Sequence, residues 1–330
     1  MRVTSLSPLQ HRPNPASDLQ RVEASLRDAA TTQDDFLTEV ASHLIPAGGK
    51  RLRPAMVIAA SLSHNDDGAG ENAVTEEMIR GGVAVELVHL GSLYHDDVMD
   101  EAETRRGIEA VNSRWGNLVA ILAGDFLLAK ASELAASLGT EVAELLAATI
   151  GHLCEGQVRE LQLIYDVDRN ESGYLEAIGG KTAALFATSC RIGALVAGCD
   201  RTAVEQLTQY GYAYGMAFQI VDDILDLVAT DEELGKPSGN DLREGVYTLP
   251  VIRMIKANDP VKELLGAPLS TEERDFARSL VVNGKEIATS IETAREYAEE
   301  ALEAISGFPT TIGTLGLRSA AANLLSALDR

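Results

Sequence analysis

The sequence is short of basic residues and poor in cysteine. Lys and Arg number 28 against 50 Asp and Glu in 330 residues, so the formal charge at pH 7 is −22. Because nucleic-acid affinity depends on Lys and Arg neutralising phosphates, this deficit excludes a general duplex-binding protein, and we expect no nucleic-acid partner. The cysteines, Cys154, Cys190 and Cys199, have neither the paired spacing of a zinc site nor the dense pattern of a disulfide scaffold, and we interpret them as buried thiols.

Long apolar runs are absent as well. The first twenty residues are polar and broken by Pro8, Pro13 and Pro15, so they lack the apolar stretch of a signal peptide. No run reaches the ~20 residues of a membrane-spanning helix, since even the segment 183–198 carries Arg191 in its middle. We therefore expect a cytoplasmic protein, with residues 1–16 as a flexible N-terminal tail.

Helical periodicity is what the sequence has in abundance. Apolar residues, mostly alanine and leucine, return every three or four positions, which predicts an all-α protein. The segments 81–95 and 184–198 are apolar nearly all round, so we place them at the centre of a helix bundle. The sequence has no fixed-period repeat and no Pro/Ser-rich linker, which favours a single domain over residues 1–330. The predicted helices cover residues 17–45, 51–64, 74–101, 116–138, 140–165, 171–198, 200–229, 246–257, 271–283, 285–305 and 316–329.

Two copies of the pattern Asp-Asp-x-x-Asp are the most informative feature. DDVMD at 96–100 ends one apolar segment, and DDILD at 222–226 follows another. At about 3.6 residues per turn, the first and last Asp of each copy point the same way, so each helix presents two carboxylates on one face. Asp-Asp pairs at 34–35 and 66–67 lack the third Asp, and we interpret those as turns or helix starts.

These carboxylates need a cation, because like charges on one helix face repel and carboxylates beside an apolar core are costly. Oxygen ligands from a few carboxylates suit Mg²⁺ rather than zinc, and neither motif has the loop with a central Gly of an EF-hand calcium site. Basic clusters occur in GGKRLRP at 48–54 and at Arg105-Arg106. They indicate a polyanion held between metal and guanidinium groups, and a diphosphate fits this description.

Six elements follow one another in an order that is typical of one family. They are GGKRLRP at 48–54, ELVHLGSLYHDDVMDEAETRRG at 86–107, LAGDFLLAKA at 122–131, Lys181-Thr182, GMAFQIVDDILD at 215–226, and 235–237 leading to DLREGVYTLP at 241–250. Through them the chain resembles, over nearly its whole length, the trans-type isoprenyl diphosphate synthases, also called polyprenyl synthetases.

The resemblance implies an all-α isoprenoid synthase fold of about ten or more helices around a central apolar cavity, with the acidic motifs facing each other across its mouth. It implies head-to-tail prenyl transfer. An allylic diphosphate loses its diphosphate, the double bond of isopentenyl diphosphate attacks the resulting carbocation, and a proton is lost. The expected cofactor is Mg²⁺, with about three ions when substrate is bound. We also expect a homodimer that touches a membrane transiently to release its product.

The resemblance also assigns roles by position. The expected Mg²⁺ ligands are Asp96, Asp100 and Asp222, supported by Asp97, Asp223 and Asp226. The allylic diphosphate is expected at Arg105, Lys181 and Lys236, and isopentenyl diphosphate at Lys50, Arg53, His89 and Arg106. Thr182 and Gln219 are expected beside the developing carbocation. Val246 and Asn240 stand where Lys is common in the family, which weakens the positive charge near the second motif.

The residues one turn before Asp96 are expected to limit the product length. Short-chain members resemble one another in placing bulky residues four or five positions before this Asp, where the present chain has Ser92 and Gly91. Neither side chain blocks a hydrocarbon tail, so we expect a medium- or long-chain product of roughly six to ten isoprene units. Geranylgeranyl or farnesyl diphosphate is the alternative product.

Three other functions compete with this interpretation. A terpene cyclase or squalene-type synthase shares the helical fold and the acidic motifs, but it has no need of the second diphosphate pocket that GGKRLRP indicates. A non-catalytic subunit of a heteromeric synthase is expected to lose Asp residues, yet both motifs are complete. An acidic scaffold that binds Ca²⁺ or basic partners explains the net charge but not the placed Arg and Lys residues.

Overall fold

The computed structural model of the chain describes residues 6–64, 73–234, 238–257 and 260–328. Over these residues it forms sixteen α-helices and one two-stranded hairpin, which confirms the all-α prediction. The helices are α1 (Pro15–Ala30), α2 (Asp35–Ser42), α3 (Leu52–Ser61), α4 (Glu76–Met99), α5 (Val111–Trp115), α6 (Asn117–Ser137), α7 (Thr140–Gln162), α8 (Glu171–Ile178), α9 (Ala184–Val196), α10 (Arg201–Val228), α11 (Asp231–Leu234), α12 (Asn240–Glu244), α13 (Leu249–Lys256), α14 (Thr271–Asn283), α15 (Glu286–Ala304) and α16 (Ile312–Leu324). The hairpin pairs β1 (Thr104–Arg105) with β2 (Ile108–Glu109).

The two helices that carry the acidic motifs, α4 and α10, lie at the centre of the bundle. α4 packs against α3, α6 and α9, and α10 packs against α9 and α15. Buried apolar side chains of α3, α4, α6 and α9 form one cluster with the N-terminal half of α10. The C-terminal half of α10 forms a second cluster with α13 and α14. Because α4 and α10 are held on several sides, the motifs at their C-terminal ends are mounted on rigid elements.

Two of the predicted helices are interrupted, and each interruption has a local cause. The segment 17–45 divides into α1 and α2 because Asp34 caps α2, its carboxylate accepting a hydrogen bond from Leu37 N at 2.9 Å. The segment 171–198 divides at the π-helical residues Gly179–Ala183. α7 approaches this segment so closely that a Cβ at Gly156 would lie 2.5 Å from Lys181 N.

Two expectations about exposure do not hold. In the described part of residues 1–16, Leu6 and Leu9 are each 1% exposed and belong to the core, so these residues are not a free tail. The interpretation of the cysteines as buried thiols is wrong for Cys154, which is exposed, and Cys199 is half-buried. None of the helices within the described ranges is long and apolar enough to cross a membrane.

Candidate active site

The two acidic motifs converge on one cavity of about 860 Å³, which we call the acidic cavity. Asp96 and Asp100 come to it from the C-terminal end of α4, where Asp100 N donates a hydrogen bond to Asp96 O at 2.8 Å. Asp222 and Asp223 come to it from the last turns of α10. The structure therefore brings together four of the six predicted aspartates from distant parts of the sequence.

The other two aspartates, Asp97 and Asp226, do not line the acidic cavity. The Asp97 carboxylate is fully buried and accepts a hydrogen bond from Arg105 Nε at 2.6 Å. Asp226 Oδ2 accepts a hydrogen bond from Asp241 N at 3.3 Å, at the start of α12. The resemblance gives both residues a supporting role around the metal ligands. Their contacts in the structure are with the hairpin for Asp97 and with the segment before α13 for Asp226. Asp97 orients Arg105, and Asp226 holds the wall beside the second motif.

Burial raises the pKa values of Asp96, Asp100 and Asp223 in this cavity. Burial, reinforced by Asp100 and opposed by Lys181, raises the pKa of Asp96 to about 6. Burial also raises the pKa of Asp223 to about 7, although hydrogen bonds from Tyr174 and Gln219 oppose the shift. Negative charge is costly here without a cation, so a bound cation stabilises the ionised forms.

The donor set fits Mg²⁺ that is shared with a substrate. In the described part of the chain, no three His, Cys, Asp or Glu side chains come together as a ready-made metal cage. Mg²⁺ does not need such a cage, because one or two carboxylates commonly hold it together with water and substrate phosphates. Asp96, Asp100 and Asp222 supply hard carboxylate oxygens on the wall of one cavity. These three residues could hold the metal.

Hydrogen bonds connect the π-helical segment to α10. Thr182 Oγ1 donates to Gln219 Oε1 at 2.8 Å, and Gln219 Nε2 donates to Asp223 Oδ1 at 2.7 Å. From α8, the hydroxyl of Tyr174 donates to Asp223 Oδ2 at 2.6 Å. Both oxygens of Asp223 therefore accept hydrogen bonds from side chains, and this fixes the orientation of the Gln219 amide.

Lys181 is presented to the cavity by the same π-helical segment. Its ammonium group forms an ion pair with Glu160 of α7. Burial lowers the pKa of Lys181, but the charges of Glu160 and Asp96 outweigh burial and raise it. Lys181 is therefore a cation beside the first acidic motif, as a residue that holds a diphosphate must be.

A second cavity of about 810 Å³, which we call the basic cavity, shares part of its wall with the acidic one. The residues common to both walls are Asp96, Lys181, Thr182, Gln219 and Asp222. The predicted isopentenyl diphosphate residues Lys50, Arg53, His89 and Arg106 all line the basic cavity. Apolar side chains line another part of it, namely Leu93, Met99, Leu153, Val158, Leu161 and Phe218.

The basic cavity is built around Arg51, to which the resemblance assigned no role. Arg51 precedes α3 in the left-handed conformation, with φ of 46°. Its Nη1 donates to Glu86 Oε1 at 2.8 Å, and its Nε donates to Glu23 Oε1 at 2.6 Å. The side chains of Arg51 and Glu86 are each 2% exposed. This buried ion pair connects the start of α3 to α4.

His89 lies among guanidinium groups. Burial and the charges of Arg53 and Arg106 lower the pKa of His89 well below its ordinary value of 6.5, so the ring is neutral near pH 7. Arg106 Nη2 lies 3.4 Å from His89 Nε2, and Arg106 also donates to Gly48 O. Burial lowers the pKa of Arg53 to about 10, and its guanidinium lies 4.7 Å from the centroid of the Phe186 ring. A neutral imidazole still offers one N–H to an anion.

The two chain-length positions differ in where they point. Ser92 lines the basic cavity, and its hydroxyl donates to His89 O at 2.9 Å. Gly91 does not line it, because a Cβ there would lie 3.1 Å from Gly124 O at the contact of α4 with α6. Five residues correspond to about 140° around a helix and four to about 40°, which explains the difference relative to Asp96. A side chain at Gly91 would therefore point toward α6, whereas the side chain of Ser92 points into the basic cavity.

Several residues of the site were not predicted, and one predicted residue lies outside the described part. Lys236 is that residue, and its position is not described. Glu86 carried a signal, because a charged residue inside the otherwise apolar segment 81–95 needs a partner. Glu160, Tyr174 and Arg169 also brace or line the acidic cavity, but they stand in mixed sequence where nothing marked them.

Comparisons with known proteins agree with this geometry. Residues 34–280 match the family described as polyprenyl synthetase. The chain is 38% identical to heptaprenyl diphosphate synthase component 2 of Geobacillus stearothermophilus over 298 residues, 89% of this chain and 91% of that protein. It is 38% identical to nonaprenyl diphosphate synthase of Mycobacterium tuberculosis over 304 residues, 90% of this chain and 88% of that one. A polyprenyl synthase of Caulobacter crescentus, crystallised with calcium and isoprenyl diphosphate, superposes with a TM-score of 0.88 at 34% identity and covers 98% of both chains.

Proposed function

The chain belongs to the polyprenyl synthetase family and is a trans-prenyltransferase, and from this premise we propose that it joins isopentenyl diphosphate head to tail to an allylic diphosphate in a Mg²⁺-dependent reaction. The observation that carries the proposal is the shared wall of the two cavities. Two diphosphates of different roles need separate sites whose reactive carbons meet. An acidic cavity and a basic cavity that share Asp96, Lys181 and Gln219 meet this need.

In the acidic cavity, Arg105 and Lys181 bind the allylic diphosphate, and their partners Asp97 and Glu160 orient them. Mg²⁺ bound by the carboxylates of the two motifs would neutralise the charge that develops on the leaving diphosphate.

In the basic cavity, Lys50, Arg53 and Arg106 bind the diphosphate of isopentenyl diphosphate, and neutral His89 donates a hydrogen bond to it. Thr182 and Gln219 line the shared wall, and we expect their oxygen atoms to lie beside the carbon from which the allylic diphosphate leaves. Their dipoles stabilise positive charge on that carbon.

The experiment is a condensation assay with the purified protein, Mg²⁺, labelled isopentenyl diphosphate and a panel of allylic primers. We expect prenyl products that depend on both substrates and on the divalent cation. Asp96→Ala removes them, whereas Asp275→Ala, which removes an exposed carboxylate on α14, leaves the rate unchanged. Release of diphosphate without chain extension would favour a terpene cyclase and refute the proposal.

We further propose a medium- or long-chain product. Small Ser92 and the apolar residues Leu93, Leu153 and Phe218 line the basic cavity, and relatives at 38% identity are named for heptaprenyl and nonaprenyl products. Sizing the dephosphorylated products by mass spectrometry tests this length. A product that stops at geranylgeranyl diphosphate would replace the proposal with the shorter alternative.

We propose that the active form is a homodimer. Leu118, Ile121 and Leu122 of α6 and Val158 and Leu161 of α7 are exposed apolar side chains on neighbouring helices, and a second copy would cover them. Leu122→Glu should shift the mass measured by light scattering toward a monomer. A wild-type chain that is inactive alone would instead favour the heteromeric arrangement that the name of the Geobacillus relative indicates. A cytoplasmic location with transient membrane contact remains a prediction.

A further inference from the structure

Arg169 is a buried arginine, and two of its guanidinium nitrogens have no hydrogen-bond partner among the described residues. It lies in the loop between α7 and α8, is 6% exposed and lines the acidic cavity. Its Nε and Nη1 atoms are buried without a hydrogen-bond partner. A buried guanidinium with unsatisfied N–H groups is costly, so such groups in a native structure indicate a missing acceptor.

The nearby carboxylates do not supply this acceptor. Glu160 and Asp223 are the acidic residues whose charges act most strongly on Arg169. Glu160 is bonded to Lys181, and both oxygens of Asp223 accept hydrogen bonds from Tyr174 and Gln219. The Arg169 guanidinium instead lies near the Tyr174 ring, 5.6 Å from its centroid. Its charge is therefore held at the cavity wall by packing and by attraction at a distance.

The wall of the acidic cavity has more carboxylates than cationic side chains, so the positive charge of Arg169 matters for binding an anion there. Among the described residues, nine carboxylates line the acidic cavity against four cationic side chains, which are Arg105, Arg169, Lys181 and Arg243. Arg105 is bonded to Asp97 and Lys181 to Glu160, so part of their capacity for an anion is already used. Nε and Nη1 of Arg169, by contrast, have no acceptor among the described residues.

We propose that Arg169 binds the diphosphate group in the acidic cavity, both on the allylic substrate and after it has left, through its Nε and Nη1 hydrogen atoms. This inference rests on the proposed function and assigns a further binding residue to the same site. Charge-assisted hydrogen bonds from guanidinium to phosphate oxygens are strong and directional, and arginine provides them where lysine provides a point charge. A counter-charge that acts only at a distance would not need the guanidinium shape.

The test is calorimetric titration of the full chain with inorganic pyrophosphate in the presence of Mg²⁺. We expect Arg169→Gln to weaken pyrophosphate binding by about tenfold or more, and Arg169→Lys to restore only part of the affinity. The matched control is Arg159→Gln, which removes one positive charge from an exposed ion pair with Glu176 between α7 and α8. This control should bind pyrophosphate as the wild type does.

Kinetics supply an independent readout. Arg169→Gln should raise the KM for the allylic diphosphate and leave the KM for isopentenyl diphosphate unchanged. Wild-type pyrophosphate affinity in Arg169→Gln, or full restoration by Arg169→Lys, would overturn the inference. If Arg169→Gln does not fold, Arg169→Lys decides, because reduced affinity supports direct binding and wild-type affinity refutes it. A wild-type protein that releases diphosphate without chain extension would refute the proposed function alone, since the pyrophosphate titration needs no turnover.

Discussion

Replacing Glu86 by Gln removes the buried negative charge that lies among the arginines of the basic cavity. Glu86 bonds Arg51 at 2.8 Å, and its charge also acts on Arg53 and Arg106. The amide of Gln has nearly the volume of the carboxylate, so packing is kept while the charge is lost. The substitution therefore isolates the electrostatic role of Glu86.

The size of the expected loss of stability in Glu86→Gln follows from the burial of the ion pair. Breaking a buried ion pair costs about 3–5 kcal/mol, because the remaining charge is left without its partner. Arg51 keeps a second carboxylate, Glu23, at 2.6 Å, so we expect the lower end of that range. With an unfolding entropy of about 2.1 cal/mol/K per residue, ~3 kcal/mol corresponds to a fall in melting temperature of about 4 °C for a chain of this length.

The assay is thermal unfolding with and without isopentenyl diphosphate. An anion bound beside the arginines replaces part of the lost charge, so the ligand should raise the melting temperature of Glu86→Gln more than that of the wild type. Glu176→Gln, which breaks an exposed ion pair, is the control and should change stability by less than about 1 kcal/mol. A Glu86→Gln protein as stable as the wild type would refute the counter-charge role.

Other perturbations test the rest of the site. Asp222→Ala should lower kcat by several orders of magnitude with an unchanged helical circular dichroism spectrum, and near-normal turnover would remove Asp222 from the metal site. Ser92→Phe should shorten the product by one or more isoprene units, whereas Gly91→Phe should lower the melting temperature because it overpacks the α4–α6 contact. Because the pKa of Asp96 is raised to about 6, protons compete with Mg²⁺ below that pH, and the Mg²⁺ concentration for half-maximal rate should fall as pH rises from 5.5 to 7.5. In EDTA, calorimetry should detect isopentenyl diphosphate binding but no binding of an allylic diphosphate.

The sequence predicted the fold and which carboxylates share a helix face, because both depend on periodicity. Apolar spacing gives helices, and a separation of four residues puts Asp96 and Asp100 on one side of α4. The same rule puts Asp226 on the helix face of Asp222, but it does not predict that Asp226 stands outside the lining of the acidic cavity. The segment before α13 packs over the end of α10, where Asp241 N donates to Asp226 Oδ2 and Gly239 N donates to the main-chain oxygen of Asp226. Periodicity gives the face of a helix but not which neighbour covers each turn of it.

Contacts between segments that are distant in the sequence explain the site residues that periodicity did not predict. Asp97 is adjacent to Asp96 in sequence and is rotated by about 100° around α4, where the hairpin supplies Arg105. Arg169 reaches the acidic cavity only because the loop after α7 folds toward α8, and nothing local in the sequence encodes that approach. Such residues become visible only when two distant segments are seen together.

The residues that line only one of the two cavities give the basic cavity a net positive charge and the acidic cavity a net negative charge. Outside the shared wall, and counting only the described residues, the basic cavity has Lys50, Arg51, Arg53 and Arg106 against Glu86. The acidic cavity has seven carboxylates against three arginines. A diphosphate is therefore attracted to the first cavity without help, but it enters the second only together with divalent cations. Under the proposed function, we therefore expect the requirement for metal to fall on the substrate whose carbon–oxygen bond must break, where neutralising the leaving group lowers the barrier. We expect the substrate that keeps its diphosphate to be bound by the side chains of the protein alone.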